Sequence, residues 1–134
     1  MVEIKVKFNS NLSTELTHVD SRAKLITDAP KDNQGEGKSF SPTDMVAGAL
    51  VSCMLTIMAI YAKRTGIDLT GVTGKVTKEM STEPRRIGKL TVNFQMPKRF
   101  TDAERKALET VAMTCPVHKS LHPDVQVPVK FDYI

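Results

Sequence analysis

The chain has no tryptophan, two tyrosines, five phenylalanines and only two cysteines in 134 residues. Aromatics make 5% of it, and basic residues such as Lys24, Lys31, Lys38, Lys75, Lys78, Lys89, Lys98 and Arg105 are scattered over every segment. A net charge of +4 without a basic stripe or interleaved stacking groups reads as a mixed solvated surface, and no nucleic-acid interface is expected. No CxxC pair and no HxxxH spacing occurs, which argues against a structural zinc site. The opening MVEIKVKFNS has no long apolar run behind positive charge, so a signal peptide is not expected and the cytoplasm is the expected compartment. Repeats and low-complexity tracts are lacking. What is left is an ordinary soluble composition, 40% hydrophobic and 25% charged, in one domain over residues 1–134 that is long enough to bury a core.

The one long apolar run organises the rest. Residues 41–66, SPTDMVAGALVSCMLTIMAIYAKRTG, open with Ser41 as a cap, Pro42 at a first helical position and Asp44 where a capping-box acid belongs. Lys63, Arg64 and Gly66 mark the end. Between them only Gly48, Ser52 and Thr56 interrupt the apolar residues, so the helix should be covered on most sides. Its length could span a bilayer, but Ala47, Gly48, Ala49 and Ser52 would let another backbone approach, and the charged remainder of the chain reads as soluble, with no membrane association. One sheet and one amphipathic helix cannot cover such a helix, which predicts a homodimer.

Around this helix the pattern predicts strands at 2–8, 12–20 and 23–27, the first strictly alternating through Val2, Ile4, Val6 and Phe8. A polar loop follows at 28–39, long enough to carry function. A hairpin is expected from strands at 68–80 and 87–96, the second alternating through Leu90, Val92, Phe94 and Met96. Thr101-Asp102-Ala103-Glu104 is a second capping box opening an amphipathic helix, Pro116 restarts a short helix, and residues 125–133 form a last strand that Pro128 confines to an edge. Strands grouped before and after helices give an α+β fold with a mostly antiparallel sheet packed around the long apolar helix.

Any chemistry should involve Cys53 and Cys115. Cys53 lies mid-helix, where no terminal dipole lowers its pKa, so it is either a small core hydrophobe or a thiol activated by a cation from elsewhere. Cys115 precedes Pro116, so its sulfur either sits near amides that favour a thiolate or belongs to a helix-ending residue tucked under the strand. His118, three residues on, either shares that turn or sits at the surface; the surface is the expectation.

The stretches SPTDMVAGALVSCMLT, AIYAKRTGIDLTG and CPVHKSL, in this order from about Ser39 to the C-terminus, resemble the OsmC/Ohr family of cysteine-based peroxidases, in its broad OsmC-like branch. The resemblance implies an intertwined α+β homodimer with two sites at the subunit interface. It implies that Cys53 is the peroxidatic thiolate, forming a sulfenic acid with an organic hydroperoxide or hydrogen peroxide, and that Cys115 is the resolving thiol that closes a disulfide. An external thiol or lipoyl-type dithiol would restore the pair, with no metal, flavin or haem as cofactor.

In the family a glutamate after the helix-start proline holds an arginine that activates the thiolate. This chain has Thr43 there and the acid one place later, so Asp44 either substitutes or caps the helix. Arg22 is the only arginine before the helix, and it either supplies the cation or is a solvated turn residue. A second reading follows from that departure: a stress-associated dimer with little turnover, binding a small apolar ligand in an interface pocket lined by Phe40, Met45, Met54 and Met58.

Overall fold

The computed structural model describes residues 1–134, which form two compact units, Met1–Val46 and Ala47–Ile134. The first unit is a three-stranded antiparallel meander of β1 (Ile4–Phe8), β2 (Thr14–His18) and β3 (Lys24–Ile26), in the order β1-β2-β3. The alternation of β1 is real, but no partner in the chain covers it: Ile4, Val6 and Phe8 are 55%, 60% and 69% exposed. The polar loop is folded back on itself. The Asp28 carboxylate accepts the Lys38 amide at 2.9 Å, the Asp28 amide donates to the Phe40 carbonyl at 3.1 Å, and a 3-10 turn occupies Lys31–Asn33.

The apolar helix, α1 (Pro42–Thr65), begins in the first unit and runs into the second. Its start is a reciprocal capping box, the Asp44 amide donating to Ser41 Oγ at 3.1 Å and the Ser41 amide to the Asp44 carboxylate at 2.9 Å. Its end is a left-handed Gly66 at φ 76°, with the Ile67 amide reaching back to the Ala62 carbonyl at 2.9 Å, a Schellman closure. Ala47, Leu50, Val51, Met54, Met58 and Ala62 form the buried stripe, while Gly48, Ala49, Ser52, Thr56, Ala59 and Ile60 are open. Within one chain α1 is thus covered on one side only, as expected of a helix that one sheet and one amphipathic helix cannot enclose. By length and composition the helix could cross a membrane, and 33% of its most apolar window is buried.

The second sheet pairs β4 (Thr73–Ser81) with β5 (Arg86–Met96) as an antiparallel hairpin, and β5 with β6 (Val129–Tyr133) in parallel. The order β4-β5-β6 leaves β6 at an edge, as Pro128 requires. Two three-stranded sheets therefore stand where one was expected, and one pairing is a parallel crossover through α2 (Asp102–Ala112) and α3 (Pro116–Ser120). The fold is α+β and mostly antiparallel around a long apolar helix. β5 sends Leu90, Val92, Phe94 and Met96, all fully buried, into a core with the α1 stripe, Phe100, Leu108, Ala112 and Cys115. Phe94 stacks on Phe131 of β6 at 5.2 Å between ring centres. β4 starts later than its pattern suggested because Arg99 takes the Asp68 and Thr70 carbonyls at 2.7 and 2.6 Å, holding that segment out of the ladder.

Candidate functional site

Cys115 is held by local geometry. It caps α3 at φ -51° and ψ 126°, Pro116 takes the first helical position, and the His118 amide donates to Cys115 Sγ at 3.4 Å. The thiol itself is directed at the Leu50 carbonyl of α1, 3.9 Å away, one turn before Cys53. Cys115 is fully buried and Cys53 half-buried, and the Cys53 side chain lies near enough to interact with the Cys115 sulfur. Both cysteines are free thiols.

Burial pushes the Cys115 thiol above the ordinary range, and the neighbouring Cys53 pushes it further; the His118 and Val117 amides oppose this and lose. Both readings of Cys115 thus hold in part: amides that favour a thiolate face the sulfur, and its burial outweighs them. Cys115 is a protonated thiol at neutral pH.

His118 is not at the surface, where it was expected. Its ring is half-buried, and Nδ1 is shielded from solvent with no hydrogen-bond partner. The i to i+3 spacing from Cys115 carried that signal. The Val117 amide facing Cys115 is a contact the sequence reading missed, although the cap geometry at Cys115 contains it.

Asp44 takes part in the capping box that opens α1. Arg22 stands in the turn between β2 and β3 at φ 63°, its amide donating to the His18 carbonyl at 2.7 Å and its side chain exposed. Of the proposed pocket lining, Met54 and Met58 are fully buried in the core, Met45 is half-buried and Phe40 is 65% exposed. The methionine lining is corrected accordingly: Met54 and Met58 fill the space under α1 instead of opening a cavity. No group of side chains has metal-ligand composition and spacing.

A paired thiol built from the middle of an apolar helix and the start of a proline-led turn, on an α+β frame, defines a dithiol protein. The family model described as OsmC-like protein matches residues 35–130, and the chain belongs to that family. Among solved structures, a Psychrobacter arcticus protein is 43% identical over 98% of this chain and 96% of its own, with a TM-score of 0.92; its assignment as an osmotic stress induced and detoxification response protein is itself provisional. An organic hydroperoxide resistance protein OsmC from Legionella pneumophila shares the fold at 20% identity, TM-score 0.74, over 98% of this chain and 96% of that one. The organic hydroperoxide resistance protein OhrB of Bacillus subtilis does so at 16% identity, TM-score 0.68, over 98% of each chain. No curated protein matches the sequence.

Proposed function

We propose that the protein is a dithiol peroxidase that reduces organic hydroperoxides or hydrogen peroxide. The observation that carries this reading is the Cys115 sulfur beside Cys53 across α1 and the α3 cap. The half-buried Cys53 is the thiol that peroxide reaches. Its thiolate attacks the O–O bond, giving a Cys53 sulfenic acid and an alcohol or water. Cys115 then displaces the sulfenic oxygen as water and closes a Cys53–Cys115 disulfide. An external thiol or lipoyl-type dithiol reopens it by exchange, in a cytoplasm that keeps thiols reduced. Arg22 is the proposed cation for the Cys53 thiolate; Asp44 serves the helix cap.

Exposed Ile4, Val6 and Phe8 of β1, together with the open face of α1, support a homodimer as the working form. The engagement of Asp44 in its cap favours a second reading, a stress protein of the same fold with little turnover that binds a small apolar ligand between subunits.

One experiment separates the two. Reduced protein is mixed with one equivalent of cumene hydroperoxide, and free thiol and intact mass are followed, with Cys53→Ser and Cys115→Ser alongside. The peroxidase reading expects fast disulfide formation in the wild type and a stalled sulfenic acid in Cys115→Ser. Survival of both thiols for as long as free cysteine survives would refute it. Arg22→Ala should slow only the peroxide step.

A further inference from the structure

We propose that His118 is the base that takes the proton from Cys115 when the Cys53–Cys115 bond closes, an inference that rests on the dithiol reading above but is testable without peroxide. Cys115 Sγ is fully buried, so its proton has no direct route to solvent. Only a thiolate attacks sulfur at a useful rate, so a group within the protein must receive that proton.

Four observations point to His118. Its amide at 3.4 Å from Sγ fixes it one turn along α3 from the thiol. Its ring Nδ1 is shielded from solvent and bonded to nothing, although buried polar atoms nearly always have a partner. Imidazole is the side chain that accepts a proton near neutrality. The other bases of this segment point elsewhere: His122 is exposed beside Asp124 at 3.7 Å, and Lys119 is exposed.

At rest the thiol faces the Leu50 carbonyl and the ring nitrogen waits unbonded. Rotation of the Cys115 side chain away from that carbonyl, and of the imidazole toward it, brings the proton to Nδ1. The Cys115 thiolate then attacks the sulfur of the Cys53 sulfenic acid. The S–S bond forms as the S–O bond breaks, and the leaving hydroxide takes the proton back from the imidazolium as water. The base is regenerated, and the two-electron oxidation comes from the sulfenic acid alone.

The test isolates closure. Reduced protein receives one equivalent of Ellman's reagent; the first thionitrobenzoate released reports capture of Cys53, and the second reports attack by Cys115 on the mixed disulfide. Wild type, His118→Ala and His118→Asn are compared, the asparagine placing an amide where Nδ1 stood so that packing is kept without a titrating base. Both variants should capture the reagent at the wild-type rate and close about a hundredfold more slowly. Added imidazole should restore closure in His118→Ala and leave His118→Asn slow.

Closure at the wild-type rate in either variant overturns the proposal, as does slow closure in His118→Ala that imidazole does not relieve, since that is loss of packing. Failure of the wild type to close overturns it too. If closure depends on His118 while cumene hydroperoxide leaves both thiols intact, the peroxidase reading falls and this inference stands.

Discussion

Replacing Gly74 with alanine tests the contact that sets the position of the candidate site. A Cβ at Gly74 would lie 2.6 Å from Val51 Cγ1 on α1 and 3.0 and 3.1 Å from two ring carbons of Phe94. Neither neighbour yields easily. Val51 is β-branched and 7% exposed, and Phe94 is fully buried and stacked on Phe131. Overpacking of this kind costs about 1–3 kcal/mol, against which removal of a strand glycine returns about 0.5–1 kcal/mol. The net loss is about 1–2 kcal/mol, or a fall of about 4–8 °C in Tm for a domain of this size.

Urea and thermal unfolding of Gly74→Ala, Val51→Ala and the double variant measure it. If the clash is the cause, trimming Val51 relieves it, and the double variant is less destabilised than the sum of the singles by about 1 kcal/mol. A neutral Gly74→Ala, or strict additivity, refutes the close approach of β4 to α1. Because Val51 follows Leu50, whose carbonyl faces Cys115, the same variant should also slow disulfide closure.

Four further outcomes are expected. Ser41→Ala removes the oxygen that accepts the Asp44 amide and should cost about 1 kcal/mol in urea unfolding. Tyr133→Phe deletes the hydroxyl that donates to Glu109 at 2.6 Å while leaving Arg105 over the ring at 4.1 Å, and should cost about 1–2 kcal/mol by the same assay. Burial raises the Cys115 pKa, and burial with Glu109 raises that of Tyr133, so the folded state holds both protons after the unfolded state has begun to lose them. Stability should therefore be intact below about pH 8.5 and fall as pH rises beyond it and then beyond about 10, with Cys115→Ala flattening the first part of the urea-midpoint profile and Tyr133→Phe the second. Val6→Asp with Phe8→Asp should turn the dimer expected in sedimentation into monomer; a wild type that sediments as monomer at micromolar concentration would refute the apolar face as an interface.

The parts of the fold legible in sequence are those fixed within a few residues. The α1 boundaries could be read because Ser41, Pro42, Asp44 and Gly66 each act on backbone groups one turn away, and β5 could be read because alternate residues share a face. The parallel partnership of β5 and β6 could not. Residues 97–128 separate the two strands, and strand, helix, helix, strand is compatible with more than one pairing until the core residues Leu108, Ala112 and Phe131 choose. The start of β4 departs from the sequence pattern for a similar reason, since Arg99, distant in sequence, takes the carbonyls a ladder would use. Which face of α1 the chain itself buries is not legible because the two faces are apolar alike: Gly48, Ala49 and Ile60 read like Leu50 and Met54, and only the placement of the sheet distinguishes them.

At the site, the same divide falls between what a turn dictates and what a core dictates. Pro116 dictates that Cys115 stands at a helix start with amides aimed at its sulfur, and it does. Whether those amides make a thiolate depends on how much water reaches the sulfur. None does, so desolvation sets the sign of the shift. The result gives the two thiols different capacities. A protonated, enclosed Cys115 is a poor first nucleophile, and in the proposed cycle the first attack on peroxide therefore falls to the half-buried Cys53. The same enclosure leaves the Cys115 proton without a direct route to solvent, and the α3 cap holds His118, through its amide at 3.4 Å from the sulfur, one turn along from the thiol with its ring Nδ1 unbonded, which is what the proposed proton transfer requires.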